Sequence, residues 1–155
     1  MKALVIVHSY HHLNTAKVAE AMAKVLAAKV VSTENAADET LAAYDIIGFG
    51  AGIDSGRHYA PLIRFAEKLP VVSGKKAFIF STSAIVGEEK LQSDHAALRT
   101  VLLSKGYEIL DEFHCRGFNT NSFLKVLGGM NKGRPNDSDL KAAAIFAEAL
   151  KKRMA

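Results

Sequence analysis

Short apolar runs alternate with helical patterns along this chain. The runs cover residues 3–8, 30–31, 46–49, 77–80 and 107–114. Both faces of the first run are apolar, as in a strand that lies inside a parallel sheet with helices on both sides. The alternation predicts βαβ units and five parallel strands in a single domain spanning residues 1–155.

Capping and breaking residues mark the helices between these strands. One helix is predicted from residue 14 to about residue 28. Pro61 can open the next helix, because a missing N–H costs nothing in a first turn. A further helix ends at Gly106, and Asp137 or Ser138 caps the last one. In an open sheet of this kind, ligands bind beyond the carboxyl ends of the strands.

The segment after the first strand is rich in hydrogen-bond donors. Ser9, Asn14 and Thr15 lead into the first helix, whose N-terminus adds unpaired N–H groups and a partial positive charge. Together these groups suit a phosphate. The alternative is an ordinary polar loop in which Asn14 or Thr15 caps the helix. His11 and His12 have no neighbouring carboxylate or cysteine, so no zinc site is predicted.

Three other segments follow predicted strands at the same edge. The glycines of residues 48–53 let the backbone approach a flat ring, or form a turn without a ligand. Residues 81–87 offer hydroxyl and N–H groups, although such turns are common after strands. Cys115 is either a redox thiol or a buried structural cysteine. His95 lies on the apolar face of its predicted helix and is interpreted as a core-edge histidine.

Composition narrows the function classes. With 49% hydrophobic and 23% charged residues, the chain is expected to be globular. The formal charge of +4 lacks a basic stripe with interleaved aromatics, so no nucleic-acid partner is expected. No apolar run is long enough to span a membrane, and no signal peptide is expected. Cys115 is the single cysteine, which suits a cytoplasmic protein.

Two segments resemble a known family. The loop from Ser9 to Thr15 resembles the flavodoxin phosphate loop, Ser/Thr-x-Thr-Gly-x-Thr. It is more similar to a prokaryotic flavodoxin-like branch that reads His-Ser-x-His-His-Gly-Asn-Thr. Residues 128–136 resemble the Gly-Gly-x-Asn-Lys-Gly-x-Pro-Asn stretch of the same branch, so the resemblance covers nearly the whole chain. Leu13 stands where the branch has glycine, which tolerates a positive φ that strains leucine.

The resemblance implies a three-layer α-β-α sandwich, flavodoxin-like, with strand order 2-1-3-4-5. It also implies one FMN at the carboxyl edge of the sheet. Tyr59 either shields the flavin or packs on the helix that Pro61 opens. The residues implied to contact FMN are Ser9, Tyr10, His11, His12, Asn14, Thr15, Gly50, Ala51, Gly52, Ile53, Tyr59, Thr82, Ser83, Ala84, Gly87, Cys115, Gly117 and Phe118.

The implied function is electron transfer, with FMN cycling between oxidised, semiquinone and hydroquinone states. Its partners would be a reductase or an acceptor enzyme, and the chain would be a monomer or weak dimer. The alternative is an NAD(P)H- or quinone-dependent FMN oxidoreductase, since the small Asp54 and Ser55 leave space where related sequences carry aromatics. The chain lacks the acidic residues of a receiver domain and the Cys-x5-Arg of a low-molecular-weight phosphatase.

Overall fold

The sheet is parallel apart from one short hairpin strand. A computed structural model describes residues 1–9, 13–117 and 131–155. Within these ranges the strand order is β2-β1-β3-β5-β6, and β4 pairs antiparallel with β3. Without β4 this is the predicted order 2-1-3-4-5, which is confirmed. The strands are β1 (Ala3–His8), β2 (Lys29–Ser32), β3 (Ile46–Asp54), β4 (Arg57–His58), β5 (Lys75–Ser83) and β6 (Tyr107–Arg116).

Helices cover both faces of this sheet. The described helices are α1 (Asn14–Leu26), α2 (Thr33–Ala36), α3 (Ala60–Glu67), α4 (Glu88–Ser104) and α5 (Asp137–Met154), with a 3₁₀ turn at Leu41–Ala43. Apolar residues of α1 and α5 join one core cluster, and those of α3 and α4 join a second. The predicted three-layer sandwich is therefore confirmed. None of the described helices is both long and apolar enough to cross a membrane.

The strands supply both core clusters by alternation. In β1, Leu4 and Ile6 face the α3 and α4 side, whereas Val5 and Val7 face the α1 and α5 side. These residues are 7% exposed or less. Burial on both faces explains the continuous apolar run that the sequence shows at this strand.

The strands that lead to the carboxyl edge are longer than predicted. The third strand was expected to end at residue 49, but β3 continues to Asp54 and pairs with β4. Ser55 and Gly56 connect the two with φ values of 53° and 78°, as a tight hairpin turn requires. Strand β5 likewise continues to Ser83 and β6 to Arg116. Several residues expected in loops therefore lie on strands: Gly50, Ala51, Gly52, Ile53, Thr82, Ser83 and Cys115.

The glycine run misled the prediction because its glycines make room for aromatic rings. A Cβ on Gly48 would lie 2.2 Å from the Phe78 ring, and one on Gly50 would lie 2.2 Å from the Phe80 ring. Both phenylalanines belong to the neighbouring strand β5 and are fully buried. Glycine is required here by packing across the sheet and not by a turn.

The last helix begins one residue earlier than predicted. Its N-cap is Asn136, whose side chain accepts a hydrogen bond from the Asp139 N–H at 3.0 Å. The Asp139 carboxylate accepts in return from the Asn136 N–H at 2.8 Å. This reciprocal capping box, and not Asp137 or Ser138, satisfies the first turn.

Candidate functional site

The turn between β1 and α1 is held by a leucine in the left-handed region. Leu13 has φ 55° and ψ 29° and is the N-cap of α1. The interpretation of Asn14 or Thr15 as the cap is wrong, since both lie within the first turn of the helix. The Leu13 side chain is 56% exposed, so little packing offsets its strained backbone. Leu13 therefore adopts the left-handed conformation that glycine would adopt without strain.

Hydroxyl groups surround the N-terminus of α1. The Oγ of Ser9 accepts the Ala16 N–H at 3.2 Å, which leaves its own O–H to donate elsewhere. The Thr15 and Thr82 hydroxyls lie 2.8 Å apart and are buried. The first turn contains no acidic residue to oppose the helix dipole. The end of β1, the start of α1 and β5 therefore form a polar, positively polarised corner.

The predicted contacts Tyr10, His11, His12 and Phe118 lie outside the described residues.

Tyr59 lies against the end of β3. Its N–H donates to the Gly52 carbonyl at 3.0 Å, and a Cβ on Gly52 would lie 2.7 Å from its ring. The ring also contacts His8 edge-on, with centroids 6.1 Å apart. Tyr59 is the N-cap of α3 and is half-buried. It is therefore an aromatic ring at the carboxyl edge that packs on β1 and β3.

The ends of β5 and β6 are tied to the β1–α1 turn. The Gly117 N–H donates to the Ser83 carbonyl at 3.0 Å. A Cβ on Gly117 would lie 2.6 Å from Nδ2 of Asn14, so the two residues pack closely. The Asn131 amide donates to the Ala84 carbonyl at 2.6 Å. Predicted contacts from three separate segments are thus brought to one edge.

Cys115 lies in the core below this edge. It is 7% exposed and belongs to the cluster on the α1 and α5 side. Burial raises the pKa of its thiol to about 12. The neutral thiol is a poor nucleophile, which favours the structural interpretation over a redox one. A contact between Cys115 and FMN stays a prediction.

A buried hydrogen-bonded chain on the α4 side was missed by the sequence analysis. The His95 ring is fully buried, with Nε2 at 2.7 Å from the Ser81 Oγ and Nδ1 at 2.8 Å from the Glu112 Oε1. Arg99 donates two hydrogen bonds to the same carboxylate, at 2.7 and 2.8 Å. The apolar spacing around His95 predicted its burial, but no local signal pairs it with Ser81 and Glu112.

These contacts fix the charge of Glu112. Burial alone would raise the pKa of this carboxyl, but hydrogen bonds from His95 and Arg99 outweigh burial and lower it to about 2. The carboxylate is ionised at neutral pH and can only accept hydrogen bonds. Nδ1 of His95 therefore carries a proton.

A second buried histidine lies beside the chain. The His58 ring is fully buried, and its centroid is 4.7 Å from that of His95. Its Nε2 donates to the Phe80 carbonyl at 3.0 Å. Burial, with a smaller contribution from His95, lowers the pKa of His58 to about 3, so the ring is neutral. Among the described residues, Nδ1 of His58 has no hydrogen-bond partner.

His114 completes the cluster on β6. Its Nε2 accepts the Gly87 N–H at 3.4 Å, and its centroid lies 6.4 Å from that of His95. Burial lowers the pKa of His114. Despite three neighbouring histidines, no group of side chains in the described ranges has the arrangement of a metal site.

Comparison with known proteins agrees with this architecture. A family model described as "Flavodoxin domain" matches residues 5–152. An uncharacterized protein of Methanocaldococcus jannaschii is 41% identical over 152 residues, covering 98% of this chain and 99% of that protein. Oxidised Flavodoxin 2 from Bacillus cereus superposes with a TM-score of 0.73 at 18% identity, with 99% of each chain covered. A Fusobacterium nucleatum flavodoxin bound to flavin mononucleotide gives 0.66 at 13% identity, with 99% of each covered. The chain belongs to the flavodoxin family.

Proposed function

We propose that this protein binds one FMN at the carboxyl edge of its sheet and transfers electrons between redox partner proteins. The observation that carries the proposal is the corner at the start of α1. There, hydroxyl donors surround a helix N-terminus whose first turn has no carboxylate. Such a corner stabilises a phosphate through N–H groups and the helix dipole.

The donors present fit the phosphate of FMN. Ser9, Asn14 and Thr15 carry hydroxyl or amide groups, and backbone N–H groups of α1 add to them. A phosphate with roughly two negative charges can be held by several such neutral donors. The Ser9 and Thr15 hydroxyls remain able to donate, because each Oγ–H rotates to suit its partner.

The remaining predicted contacts fit the flavin ring. Gly52 and Ile53 lie near the end of β3, and Ser83, followed by Ala84, ends the neighbouring strand β5. Their backbone groups at the sheet edge would orient the ring. When bound, FMN would supply the redox chemistry, gaining or losing electrons as it cycles between its oxidised, one-electron-reduced and two-electron-reduced states. The chain's own residues supply binding, orientation and the electrostatic surroundings.

One feature favours the enzyme alternative. The β3–β4 hairpin turn carries Asp54 and Ser55, both exposed, where a shielding aromatic is expected in related sequences. These small residues would leave space for a nicotinamide or a quinone beside a bound flavin ring. The second candidate function is therefore an NAD(P)H- or quinone-dependent FMN oxidoreductase.

Partner choice follows from charge. The formal charge of +4 favours encounter with an acidic reductase or acceptor at low ionic strength. A monomer or weak dimer in the cytoplasm is the proposed state.

The central test is flavin binding. Apo protein titrated with FMN should quench the flavin fluorescence, and riboflavin, which lacks the phosphate, should bind at least about tenfold more weakly. Equal affinity for the two flavins would refute the phosphate assignment. Absence of colour and of quenching would refute FMN binding altogether.

Two serine variants separate phosphate binding at the start of α1 from helix capping. Ser9 and Ser32 each accept a helix N–H at 3.2 Å, but only Ser9 belongs to the β1–α1 turn. We expect Ser9→Ala to weaken FMN binding about tenfold and to leave riboflavin binding unchanged. Ser32→Ala should alter neither. Equal effects from both variants would mean that the loss arises from helix capping and not from phosphate contact.

Reduction separates the two candidate functions. An accumulating one-electron state during stepwise dithionite titration supports the carrier. Rapid bleaching of the flavin by NADPH alone supports the oxidoreductase.

A further inference from the structure

The buried hydrogen-bonded chain leads from a surface groove to the carboxyl edge. A groove of about 640 Å³ lies between α4 and β6, with Gln92, Arg99 and Glu112 in its wall. Glu112 is 15% exposed there and contacts His95, which contacts Ser81. Solvent at the groove is therefore linked to the interior of the sheet by two hydrogen bonds.

The Ser81–His95–Glu112 hydrogen-bonded chain has the distances of a Ser–His–acid triad, yet its burial excludes a role in hydrolysis. Ser81 is 1% exposed and His95 is fully buried. A substrate cannot reach the hydroxyl, and a nucleophile needs such access. These three residues must therefore act through charge and hydrogen bonding.

His95 can hold one more proton without losing either contact. Its Nδ1–H donates to the ionised Glu112 in both states. Nε2 accepts the Ser81 hydroxyl when the ring is neutral and donates to Ser81 Oγ when the ring is cationic. A serine hydroxyl serves as donor or acceptor by rotation alone. Proton uptake therefore requires no rearrangement of the backbone.

The hydrogen-bonded chain adjoins the residues proposed to hold the flavin ring. Ser81 pairs in register with Ala51 of β3 and immediately precedes Thr82. His114, in register with Ser81 on β6, accepts the Gly87 N–H. Two of the segments proposed to surround the ring are thus in direct contact with this cluster.

The charges around His95 nearly cancel. Groups from each element packed on it are Ser81 of β5, His58 of β4, Glu112 and His114 of β6, and Asp94 and Arg99 of α4. Asp94 is paired with Lys90 at 2.5 and 2.6 Å, and Glu112 with Arg99. The charged residues of the adjoining helix α3 are exposed. The groups named here therefore carry little net charge, so a new charge at the carboxyl edge would act on His95 without a larger opposing charge beside it.

We propose that the Ser81–His95–Glu112 chain is a charge-compensating site for the flavin centre. In it, His95 is the group that binds a proton when the cofactor at the adjoining edge gains negative charge. This inference rests on the proposed function, since the compensated charge belongs to the bound FMN. On reduction, two electrons and one proton pass to the cofactor, with dithionite oxidised to sulfite. A second proton from solvent forms an N–H bond at Nε2 of His95.

The test follows the imidazole directly. The FMN-loaded chain, labelled with ¹⁵N, is titrated with acid and base in its oxidised and dithionite-reduced forms, and the His95 nitrogen shifts are recorded by NMR. At a given pH we expect a larger protonated fraction at Nε2 of His95 in the reduced protein than in the oxidised protein. His58 should show no such difference. Coincident His95 curves in the two forms would overturn the inference.

Variants extend the test to the cofactor. We expect His95→Gln to abolish the extra proton uptake that accompanies reduction, seen as a weaker pH dependence of the midpoint potential. Glu112→Gln should weaken it, because the carboxylate that accepts from Nδ1 and favours the cationic ring is lost. Glu108→Gln is the matched control, because Glu108 lies on the same strand, is exposed and pairs with Lys76 instead. An equal effect of the Glu108 and Glu112 variants would overturn the inference.

FMN binding is measured first by fluorescence quenching. If FMN does not bind, the proposed function and the inference fail together. If FMN binds and His95 titrates identically in both redox forms, the inference alone fails.

Discussion

Replacing His58 with glutamine should make the fold less sensitive to acid. The His58 ring is fully buried and neutral, and its Nε2 donates to the Phe80 carbonyl. A glutamine amide can donate from the same place but does not titrate in this range. The substitution His58→Gln therefore removes a protonation site while retaining its hydrogen bond.

The magnitude follows from proton linkage. Burial lowers the pKa of His58 from 6.5 to about 3 in the folded chain. Between these values the unfolded chain binds a proton that the folded chain does not, so the stability of the fold falls as the pH falls through this window. Relative to pH 8, the loss through His58 is about 2 kcal/mol at pH 5 and about 4 kcal/mol at pH 3.

Urea unfolding followed by far-UV circular dichroism at several pH values between 8 and 5 measures this difference. The substitution itself will cost packing energy at every pH. The informative quantity is therefore how the difference in free energy of unfolding between wild type and variant changes with pH. We expect the wild type to lose about 2 kcal/mol more than the variant between pH 8 and pH 5. A gap that is constant across this range would refute the assignment of His58 as a buried neutral ring.

Four further outcomes are expected. Leu13→Gly should raise the free energy of unfolding by up to about 1 kcal/mol in thermal denaturation, because the left-handed backbone there suits glycine and the leucine is exposed. Gly50→Ala should destabilise the chain by about 2 kcal/mol in urea, since its Cβ would lie 2.2 Å from the Phe80 ring. The Cys115 thiol, whose pKa burial raises to about 12, should resist a thiol reagent at pH 8 until urea unfolds the chain. Glu112, whose lowered pKa of about 2 reflects its partners against the effect of burial, stabilises the fold above about pH 4.5. That contribution should be lost as the pH falls toward 2, a loss absent in Glu112→Gln.

The sheet could be predicted from sequence because its signal is local. Each central strand is apolar on both faces, and the helices carry spaced apolar residues, so the order of elements can be read along the chain. The extension of β3 to Asp54 could not be predicted, since Gly50 and Gly52 look like turn residues. Their requirement comes from Phe80 and Tyr59, which are distant in sequence and become visible only when the strands are paired.

The site was predictable to a similar extent. Ser9 and Thr15 could be placed at the start of the first helix from the sequence, because that relation lies within one short segment. The contacts of His95 with Ser81 and Glu112 join three elements across the second half of the chain. No spacing rule connects them, because the tertiary fold alone sets which side chain of a strand meets which side chain of a helix.

The strand sequences themselves mark where the site begins. In β5 the apolar residues 77–80 are followed by Ser81, Thr82 and Ser83, and Ser81 is in register with His114 of β6. Buried polar side chains cost stability unless they are hydrogen-bonded. Here they are bonded on both faces of the sheet, Thr82 to Thr15 on the α1 side and Ser81 to His95 on the α4 side. A core that served only stability would continue the apolar pattern to the end of the strands. The polar layer at the carboxyl edge therefore supports the proposal that FMN binds at this end of the sheet.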